Sequence, residues 1–404
     1  MAHAFRIAIA ILAACLAGCA HQEIIGYYAG WKPETAIAPR DVTVVNYAFA
    51  YLAGDGAIML DDPARESPAI DRLVAMKEAN RGLRVMISVG GWTRSTRFSE
   101  MAADPAMRAR FVQSTVSFLR RHRMDGIDID WEYPGDIGFG CPPRETCQRP
   151  DDKRNFVTLA RELRRALDAA EFEDGAHYYA TIAAGADEKF LLGADRSPSP
   201  LGEGRGEGAW LRDLSSSLDW INLMSYDYHG SWERVAGLNA PLRRDPADPT
   251  DANVEASVKR LLDNGIPARK IVLGIPFYGK GWAGCQPGAA KDGLYQPCAG
   301  LASGSADETF DFSYLTDNGY LARDRDGRYT VAGLGFTRYW NAPARVPYLY
   351  NGRSGGFITF DDEASIREKL ALVERYGLKG AMYWEIGADR NGVLRAIVRD
   401  ALSR

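Results

Sequence analysis

The chain of 404 residues lacks the features by which several classes of protein are recognised. It has no basic excess, since 49 Lys and Arg stand against 53 Asp and Glu for a net charge of −4, which argues against a nucleic-acid-binding protein. Its five histidines do not cluster, and neither C-x-x-C nor H-E-x-x-H occurs. We therefore expect no nucleic-acid partner, no metal ion and no other cofactor.

The amino-terminal region has no apolar run long enough to cross a membrane as a helix. Arg6 precedes an apolar run at 7–16, and small residues follow it, which predicts a secretory signal peptide over residues 1–18. The tetrapeptide LAGC at 16–19 resembles a bacterial lipoprotein box, which implies that membrane contact occurs only through a lipid anchor on Cys19. Because Ala20 follows, we expect an exported outer-membrane lipoprotein at the cell surface or periplasmic face. The alternative is a secreted protein with an ordinary cleaved signal.

Beyond residue 19 the cysteines form two close pairs in the sequence, Cys141 with Cys147 and Cys285 with Cys298. In an oxidising compartment two local disulfides are the natural pairing. Four cysteines nevertheless allow three connectivities, so the pairing stays open at this point.

The stretch 125–134, DGIDIDWEYP, has the two-residue period of a β-strand. Two isoleucines and a tryptophan would line one face, and Asp128, Asp130 and Glu132 the other. A strand whose acids point to water is one interpretation. In a parallel sheet covered on both faces the acids would instead lie inside the protein, where an unpaired carboxylate is costly. Acid–base catalysis uses such crowding, because neighbouring charges raise one pKa and keep a proton available near neutral pH.

Seven further apolar stretches predict strands, and helical stripes separate most of them. These strands flank the acidic one, at 24–28, 42–50, 83–89, 177–184, 218–226, 270–277 and 380–385. Helices are predicted at 69–80, 105–121, 153–171 and 363–376. Eight strands in this arrangement predict an α/β fold, a (β/α)8 TIM barrel spanning residues 19–404.

Two stretches do not fit a bare barrel. Residues 197–208, SPSPLGEGRGEG, contain a single leucine and predict an exposed, flexible loop. Residues 281–357, between the seventh and eighth strands, contain strand-like runs at 337–340, 346–350 and 356–360 and predict a small α+β insertion subdomain. Asp361 and Asp362 are predicted to cap the helix that follows.

The run DGIDIDWEYP also resembles the signature of glycoside hydrolase family 18, the chitinase-like enzymes, whose pattern D-G-x-D-x-D-x-E is present in full. Further segments are similar to family segments and occur in the same order: IGYYAGW, ISVGGW, INLMSYDYHGSW, VLGIPFYGKGW and GAMYWE. The resemblance covers nearly the whole chain after the signal. It implies the barrel, the insertion of deep-cleft members, and an active site at the carboxyl ends of the strands.

The resemblance also implies substrate-assisted catalysis, in which the N-acetyl carbonyl oxygen of the cleaved sugar attacks the anomeric carbon to give an oxazolinium intermediate. Glu132 is then the general acid and base. Asp130 would orient the acetamido group, and Asp128 would share a proton with it. Tyr226 would donate a hydrogen bond to the acetamido carbonyl.

Sugar-binding positions follow from the same resemblance. Asp227 would bind the sugar, Trp384 would form the apolar floor of the cleaved-sugar site, and Trp92 a neighbouring stacking surface. Tyr27 and Ser88 would support Asp128, or act only as hydrogen-bonding residues of the core.

Other aromatic and apolar residues at strand ends are less specific. Phe49 and Met224 suit packing and substrate contact equally. Trp31 and Trp282 are candidates for outer subsites. Asp125 does not share the two-residue spacing of the other acids and is interpreted as a structural turn or cap residue.

The implied activity is that of a chitinase, which hydrolyses β-1,4 bonds between N-acetylglucosamine units with retention. Its partners would be chitin or chito-oligosaccharides, and a monomer is the default. One alternative is an endo-β-N-acetylglucosaminidase acting on N-glycans or peptidoglycan. Another is a non-catalytic chitin-binding lectin, which is disfavoured because Glu132 is intact.

Overall fold

The computed structural model describes residues 22–143, 145–192, 209–304 and 309–403. The predicted signal peptide, Cys19 and the predicted loop at 197–208 lie outside these described residues. Within them the strands are, in chain order, β1 (Glu23–Ala29), β2 (Val44–Leu52), β3 (Ile58–Met59), β4 (Arg84–Gly90), β5 (Gly126–Asp130), β6 (Tyr179–Gly185), β7 (Trp220–Met224), β8 (Ile271–Pro276), β9 (Tyr278–Ala283), β10 (Gly300–Leu301), β11 (Thr309–Asp311), β12 (Leu321–Arg323), β13 (Tyr329–Ala332), β14 (Thr337–Asn341), β15 (Val346–Asn351), β16 (Gly356–Thr359) and β17 (Gly380–Trp384). The α-helices are α1 (Pro63–Ala75), α2 (Phe98–Ala103), α3 (Pro105–His122), α4 (Asp152–Asp174), α5 (Glu188–Leu192), α6 (Ala209–Ser215), α7 (Val254–Asp263), α8 (Phe312–Asp317), α9 (Glu363–Tyr376) and α10 (Val393–Leu402).

Eight of these strands run parallel and close into a ring in the order β1-β2-β4-β5-β6-β7-β8-β17. Strand β1 pairs with β2 on one side, where Ile25 lies opposite Val44. On its other side it pairs with β17, where Glu23 lies opposite Gly380. The predicted (β/α)8 TIM barrel is therefore confirmed.

Strand β5 shows why the acidic stretch folds as it does. Its isoleucines, followed by Trp131, lie in the hydrophobic layer between barrel and helices, where Trp131 stacks on Phe98 with ring centroids 5.5 Å apart. The alternate side chains, Asp128 and Asp130, are buried on the opposite face, inside the ring. The strand ends at Asp130, whose ladder partner is Gly90, so that Glu132 lies just beyond the pairing.

The first helix begins earlier than predicted. Helix α1 spans Pro63–Ala75 and passes into a 3-10 turn at Met76–Glu78, whereas the apolar stripe had predicted 69–80. Asp62 explains the early start, because its side chain accepts a hydrogen bond from the Arg65 N–H and proline occupies the first helical position.

The two aspartates before helix α9 have separate functions. Asp362 caps the helix, accepting from the N–H groups of Ala364 and Ser365. Asp361 was predicted to cap it as well, but instead accepts from Lys369 Nζ at 2.5 Å, with both side chains buried. A buried charge needs a partner of opposite sign, and this pair supplies one.

A second, antiparallel sheet lies between barrel strands β8 and β17, in the order β10-β9-β16-β15-β14. It has a hydrophobic cluster of its own, which includes Trp282, Tyr348 and Phe357. Trp282 is fully buried, and its ring N–H donates to the Glu233 carbonyl oxygen at 3.0 Å. The expectation that Trp282 lines an outer subsite is therefore wrong. The subdomain bounds of 281–357 stay a prediction.

Both local cysteine pairs form disulfides, Cys141 with Cys147 and Cys285 with Cys298. Among the described residues, every helix is too short or too polar to cross a bilayer. Nor does that part of the chain bring three or more His, Cys, Asp or Glu side chains together as a metal-binding group.

Candidate active site

Asp128 lies at the centre of a hydrogen-bonded cluster inside the barrel. Its Oδ2 accepts from the Tyr27 hydroxyl at 2.9 Å and from Ser88 Oγ at 2.8 Å. Its Oδ1 accepts from Thr181 Oγ1 at 2.7 Å and from Asn222 Nδ2 at 3.0 Å. Burial raises the pKa of this carboxyl, and the four donors oppose the rise. The donors come from β1, β4, β6 and β7, so closure of the ring assembles the cluster.

Asp130, two residues further along β5, has different surroundings. Its side chain is buried, and its Oδ1 has no hydrogen-bond partner among the described residues. Burial, and then the charges of Glu132 and Asp128, raise its pKa well above the ordinary range. A proton held by the two aspartates is better accommodated on Asp130, because Asp128 has donors that stabilise its negative charge.

Glu132 lies just beyond β5 and is partly exposed. Its backbone N–H donates to Ser95 Oγ at 2.9 Å, and Ser95 donates in turn to the Asp130 carbonyl oxygen at 3.0 Å. Burial, with a smaller contribution from the charge of Asp227 and against a hydrogen bond from Tyr133, raises the pKa of the Glu132 carboxyl to about 7. A carboxyl with this pKa can both give and take a proton near neutral pH.

Tyr226 and Asp227 directly follow β7. Burial, and then the charges of Asp130 and Asp227, raise the pKa of the Tyr226 hydroxyl, which therefore keeps its proton. Asp227 has left-handed backbone with a φ of 57°. Its Oδ1 accepts from the Tyr278 hydroxyl at 2.8 Å and lies 3.1 Å from Lys280 Nζ. Because Tyr278 and Lys280 belong to β9, the second sheet supplies one wall of the site.

His229 holds the loop after β7 through contacts with two carboxylates. Nδ1 of His229 lies 2.7 Å from Glu233 Oε2, and its Nε2 lies 3.0 Å from Asp248 Oδ2. Burial lowers the pKa of this imidazole, but the hydrogen bonds to Asp248 and Glu233 outweigh it and raise the pKa to about 9. The ring is therefore a cation at neutral pH. It anchors the segment that carries Asp227 and Trp232.

An aromatic cluster surrounds the predicted floor of the site. Trp384 is half-buried, with its ring centroid 5.5 Å from that of Tyr27 and 5.6 Å from that of Phe49. Trp31 is 51% exposed and stacks on Phe49 at 6.1 Å. Phe49 and Met224 are partly exposed and pack against the hydrophobic cluster inside the barrel, and their contact with a substrate stays a prediction.

Two other tryptophans face solvent near the acids. Trp92, the predicted stacking surface, is 49% exposed and lines a small pocket together with Glu132. Trp232 was not predicted; it is exposed, and Lys280 Nζ lies 5.9 Å from its ring centroid. Exposed apolar surface rimmed by polar groups marks an interaction or ligand-binding surface.

Sequence reasoning missed four polar residues that contact the predicted site residues, namely Thr181, Asn222, Tyr278 and Lys280. The first two carried a signal, since each is a polar residue within an apolar predicted strand. Thr181 lies directly opposite Asp128 in the ladder between β5 and β6. Tyr278 and Lys280 lie in the segment VLGIPFYGKGW, but its pattern did not indicate a contact with Asp227, because their strand belongs to the second sheet.

A profile of the family described as Glycosyl hydrolases family 18 matches residues 23–389, which includes all eight barrel strands. The chain belongs to this family.

Particular relatives are similar over most of the chain. Chitinase A1 of Niallia circulans is 36% identical over 92% of this chain, which spans only 57% of that relative's length. Chitinase B of Serratia marcescens is 30% identical over 90% of this chain and 77% of its own. The structure is similar to that of a family 18 N-acetylglucosaminidase from Paenibacillus barengoltzii (TM-score 0.78, 32% identity, 94% of this chain and 99% of the other). It is also similar to a chitinase from Bacillus thuringiensis (TM-score 0.80, 32% identity, 95% and 70%).

Proposed function

We propose that the protein is a chitinase that hydrolyses β-1,4 bonds between N-acetylglucosamine units with retention, acting on chitin or chito-oligosaccharides. Family membership and the chitinases among its relatives support this activity. One observation carries it. The three acids have unequal surroundings: Asp128 has four donors, Asp130 Oδ1 has none among the described residues, and Glu132 is partly exposed with a pKa of about 7.

In the first step the N-acetyl carbonyl oxygen of the cleaved sugar bonds to the anomeric carbon as the bond to the leaving oxygen breaks. Glu132 gives its proton to that oxygen. We assign the buried Oδ1 of Asp130 as the acceptor of the acetamido N–H, since it lacks a partner among the described residues. The carboxyl pair also offsets the positive charge of the oxazolinium intermediate.

In the second step a water molecule attacks the anomeric carbon from the opposite side. Glu132, now a carboxylate, takes the proton of the water, and the carbonyl oxygen leaves to restore the acetamido group. Two displacements at one carbon give net retention, with the substrate in place of a protein nucleophile.

The remaining residues orient the sugar. Tyr226 donates its hydroxyl hydrogen to the acetamido carbonyl. Asp227 binds a sugar hydroxyl while Tyr278 and Lys280 hold its carboxylate. The half-buried ring of Trp384 supplies an apolar floor for the cleaved sugar.

The decisive experiment is hydrolysis of the N-acetylglucosamine hexamer with the anomers of the products resolved. The wild-type protein should release β-anomers first, and Glu132→Gln should lose nearly all turnover while it still binds the hexamer. Unchanged turnover in this variant, or initial α-anomers from the wild type, would refute the mechanism.

A second candidate is an N-acetylglucosaminidase that removes single sugars from a chain end. The structural neighbour of that name, which this chain covers almost completely, favours it. The exposed rings of Trp31, Trp92 and Trp232 favour the chitinase instead, because they offer stacking surface for several sugars. Early products of two to four sugars support the chitinase, whereas early release of monomer together with the pentamer supports the second candidate. An enzyme for N-glycans or peptidoglycan would leave the hexamer intact, and a lectin would bind it without cleavage.

We also propose that the protein is exported, loses residues 1–18 and carries a lipid on Cys19 in the outer membrane. The support is the LAGC tetrapeptide and the apolar run before it. The wild type, expressed in a bacterium with an outer membrane, should partition into detergent, and Cys19→Ser should not. A water-soluble wild type would indicate secretion instead. Light scattering tests the further proposal that the protein is a monomer.

A further inference from the structure

The loop after β1 carries a lysine that contacts two other parts of the molecule at the carboxyl end of the barrel. Lys32 Nζ lies 2.7 Å from Glu385 Oε1 and 3.1 Å from Asp311 Oδ2. Glu385 follows β17, and Asp311 ends β11, which pairs with β9 of the second sheet. One ammonium group therefore joins the first barrel strand, the last barrel strand and the second sheet.

Each member of the Lys32–Glu385 pair directly follows a tryptophan in the sequence. Trp31 precedes Lys32, and Trp384 precedes Glu385. The two ring centroids lie 6.2 Å apart, with the planes at 43°. Because neighbouring residues are covalently linked, a displacement of either charged residue is passed on to the ring beside it. The ion pair is therefore placed to set the spacing of the two rings.

The Glu385 carboxylate depends on Lys32 for its compensating charge. Its side chain is only 4% exposed, and its other oxygen, Oε2, accepts from the Gly387 N–H at 2.6 Å. Burial raises the pKa of this carboxyl, and the charge of Lys32 opposes the rise. A buried carboxylate that loses its cation must take up a proton or move toward water. Movement toward water would carry the neighbouring Trp384 with it.

Asp311 extends the connection to the wall of the site. It lies directly opposite Tyr278 in the ladder between β11 and β9. Tyr278 in turn donates to Asp227 Oδ1. Lys32 therefore lies at the junction between the aromatic floor of the site and the wall that holds Asp227.

We propose that Lys32 is a positioning residue for the hydrolysis: through Glu385 it holds the ring of Trp384 where that ring orients the cleaved sugar toward Glu132 and Asp130. This inference rests on the proposed function. It assigns no contact with the substrate to Lys32 itself.

The first experiment measures steady-state kinetics on a fluorogenic chitobioside. Lys32→Met removes the charge and should lower kcat about tenfold with little change in KM, because a misplaced sugar loses more in the transition state than in binding. Lys32→Arg retains a cation and should keep most of the wild-type rate. The matched control is Lys77→Met, which breaks a partly buried ion pair with Asp125 at the amino-terminal end of the barrel and should have the wild-type kcat.

A double-mutant cycle tests whether Lys32 acts through Glu385. Glu385→Gln keeps an oxygen for the Gly387 N–H but removes the charge, and it should lower kcat as Lys32→Met does. The two changes together should lower kcat no further than either one alone. Fully additive losses would overturn the inference, because Lys32 would then act elsewhere, as by binding the sugar directly.

The same variant keeps the test decisive if Lys32→Met does not fold, which thermal unfolding would reveal. Glu385→Gln leaves no buried carboxylate without a cation, so it avoids the main cost of removing Lys32. In that case a wild-type kcat in Glu385→Gln would overturn the inference.

Failure of this inference and failure of the proposed function give different results. If the wild type cleaves the chitobioside and Lys32→Met has the same kcat, the inference is overturned and the function stands. If the wild type cleaves neither the chitobioside nor the hexamer, the function fails, and crystal structures of the wild type and Lys32→Met decide the positioning by themselves. A separation between the Trp31 and Trp384 rings that is the same in both would overturn it, and displaced rings in the variant would support it.

Discussion

The pKa of Glu132 leads to a sharp prediction about pH. In the proposed mechanism the free enzyme must hold the Glu132 proton to cleave an oligosaccharide, since the departing sugar oxygen is a poor leaving group without it. The pKa of this carboxyl is raised to about 7, first by burial. We therefore expect kcat/KM for the N-acetylglucosamine hexamer to fall as the pH rises through that value.

The magnitude follows from the fraction of molecules that hold the proton. About nine-tenths are protonated one pH unit below the pKa and about one-tenth one unit above it. Above neutrality, kcat/KM for the hexamer should thus drop about tenfold for each further pH unit. The assay is product chromatography from about pH 5 to about pH 9, with buffers of matched ionic strength.

A charge substitution tests the cause of the shift. After burial, the negative charge of Asp227 raises the pKa of Glu132, so Asp227→Asn should move the alkaline limb to lower pH. The midpoint of the limb is the quantity to compare, because Asp227 is also assigned to sugar binding. The matched control is Asp71→Asn, which removes an exposed carboxylate that pairs with Arg123 on the outer side of the barrel.

A substrate with a better leaving group tests whether the Glu132 proton causes the fall in activity with pH. An aryl chitobioside expels a phenol that needs little protonation, so its alkaline limb should be much shallower than that of the hexamer. Hexamer cleavage that stays constant to about pH 9 would show that Glu132 is not the proton donor or that its pKa is not near 7.

Three further predictions concern buried groups. Tyr27→Phe removes one of four donors to Asp128 and should lower kcat about tenfold at constant KM, in steady-state kinetics on the chitobioside. The folded-state pKa of His229 is about 9, against an unfolded value near 6.5. His229 should therefore add up to about 3 kcal/mol to the free energy of unfolding below the unfolded-state pKa, and this contribution should be lost as the pH rises through the folded-state pKa. Denaturant unfolding at a series of pH values should show this loss in the wild type but not in His229→Gln. Lys369→Met leaves Asp361 as an unpaired buried carboxylate and should cost about 3–5 kcal/mol in urea unfolding, most of it recovered when Asp361→Leu is added.

The architecture was largely predictable because its signals are local. Alternation along 127–132 was enough to place Asp128 and Asp130 opposite the isoleucines, and closure of the ring turned that face inward. The start of helix α1 was missed although its signal, an aspartate before a proline, was also local. That error came from giving the apolar stripe more weight than the cap.

Contacts within the site were less predictable because they depend on which strands are neighbours. The pairing of Thr181 with Asp128 is a matter of register, which the pattern of one strand does not contain. The prediction that Trp282 lines an outer subsite was wrong for a related reason. Strand β9 has a tryptophan after a glycine at a strand end, as the site segments do, but its antiparallel partner β16 and the hydrophobic cluster cover that ring.

The pairing of β1 with β17 also makes the site depend on the last strand of the barrel. These strands are the first and the last of the barrel to leave the ribosome, and they lie side by side in the finished ring. Until Gly380–Trp384 has been synthesised, β1 has an open edge, and Trp384 is absent from its place against Tyr27. We therefore expect a chain truncated before Gly380 to leave that edge of β1 unpaired and the floor of the proposed site incomplete, and so to be inactive.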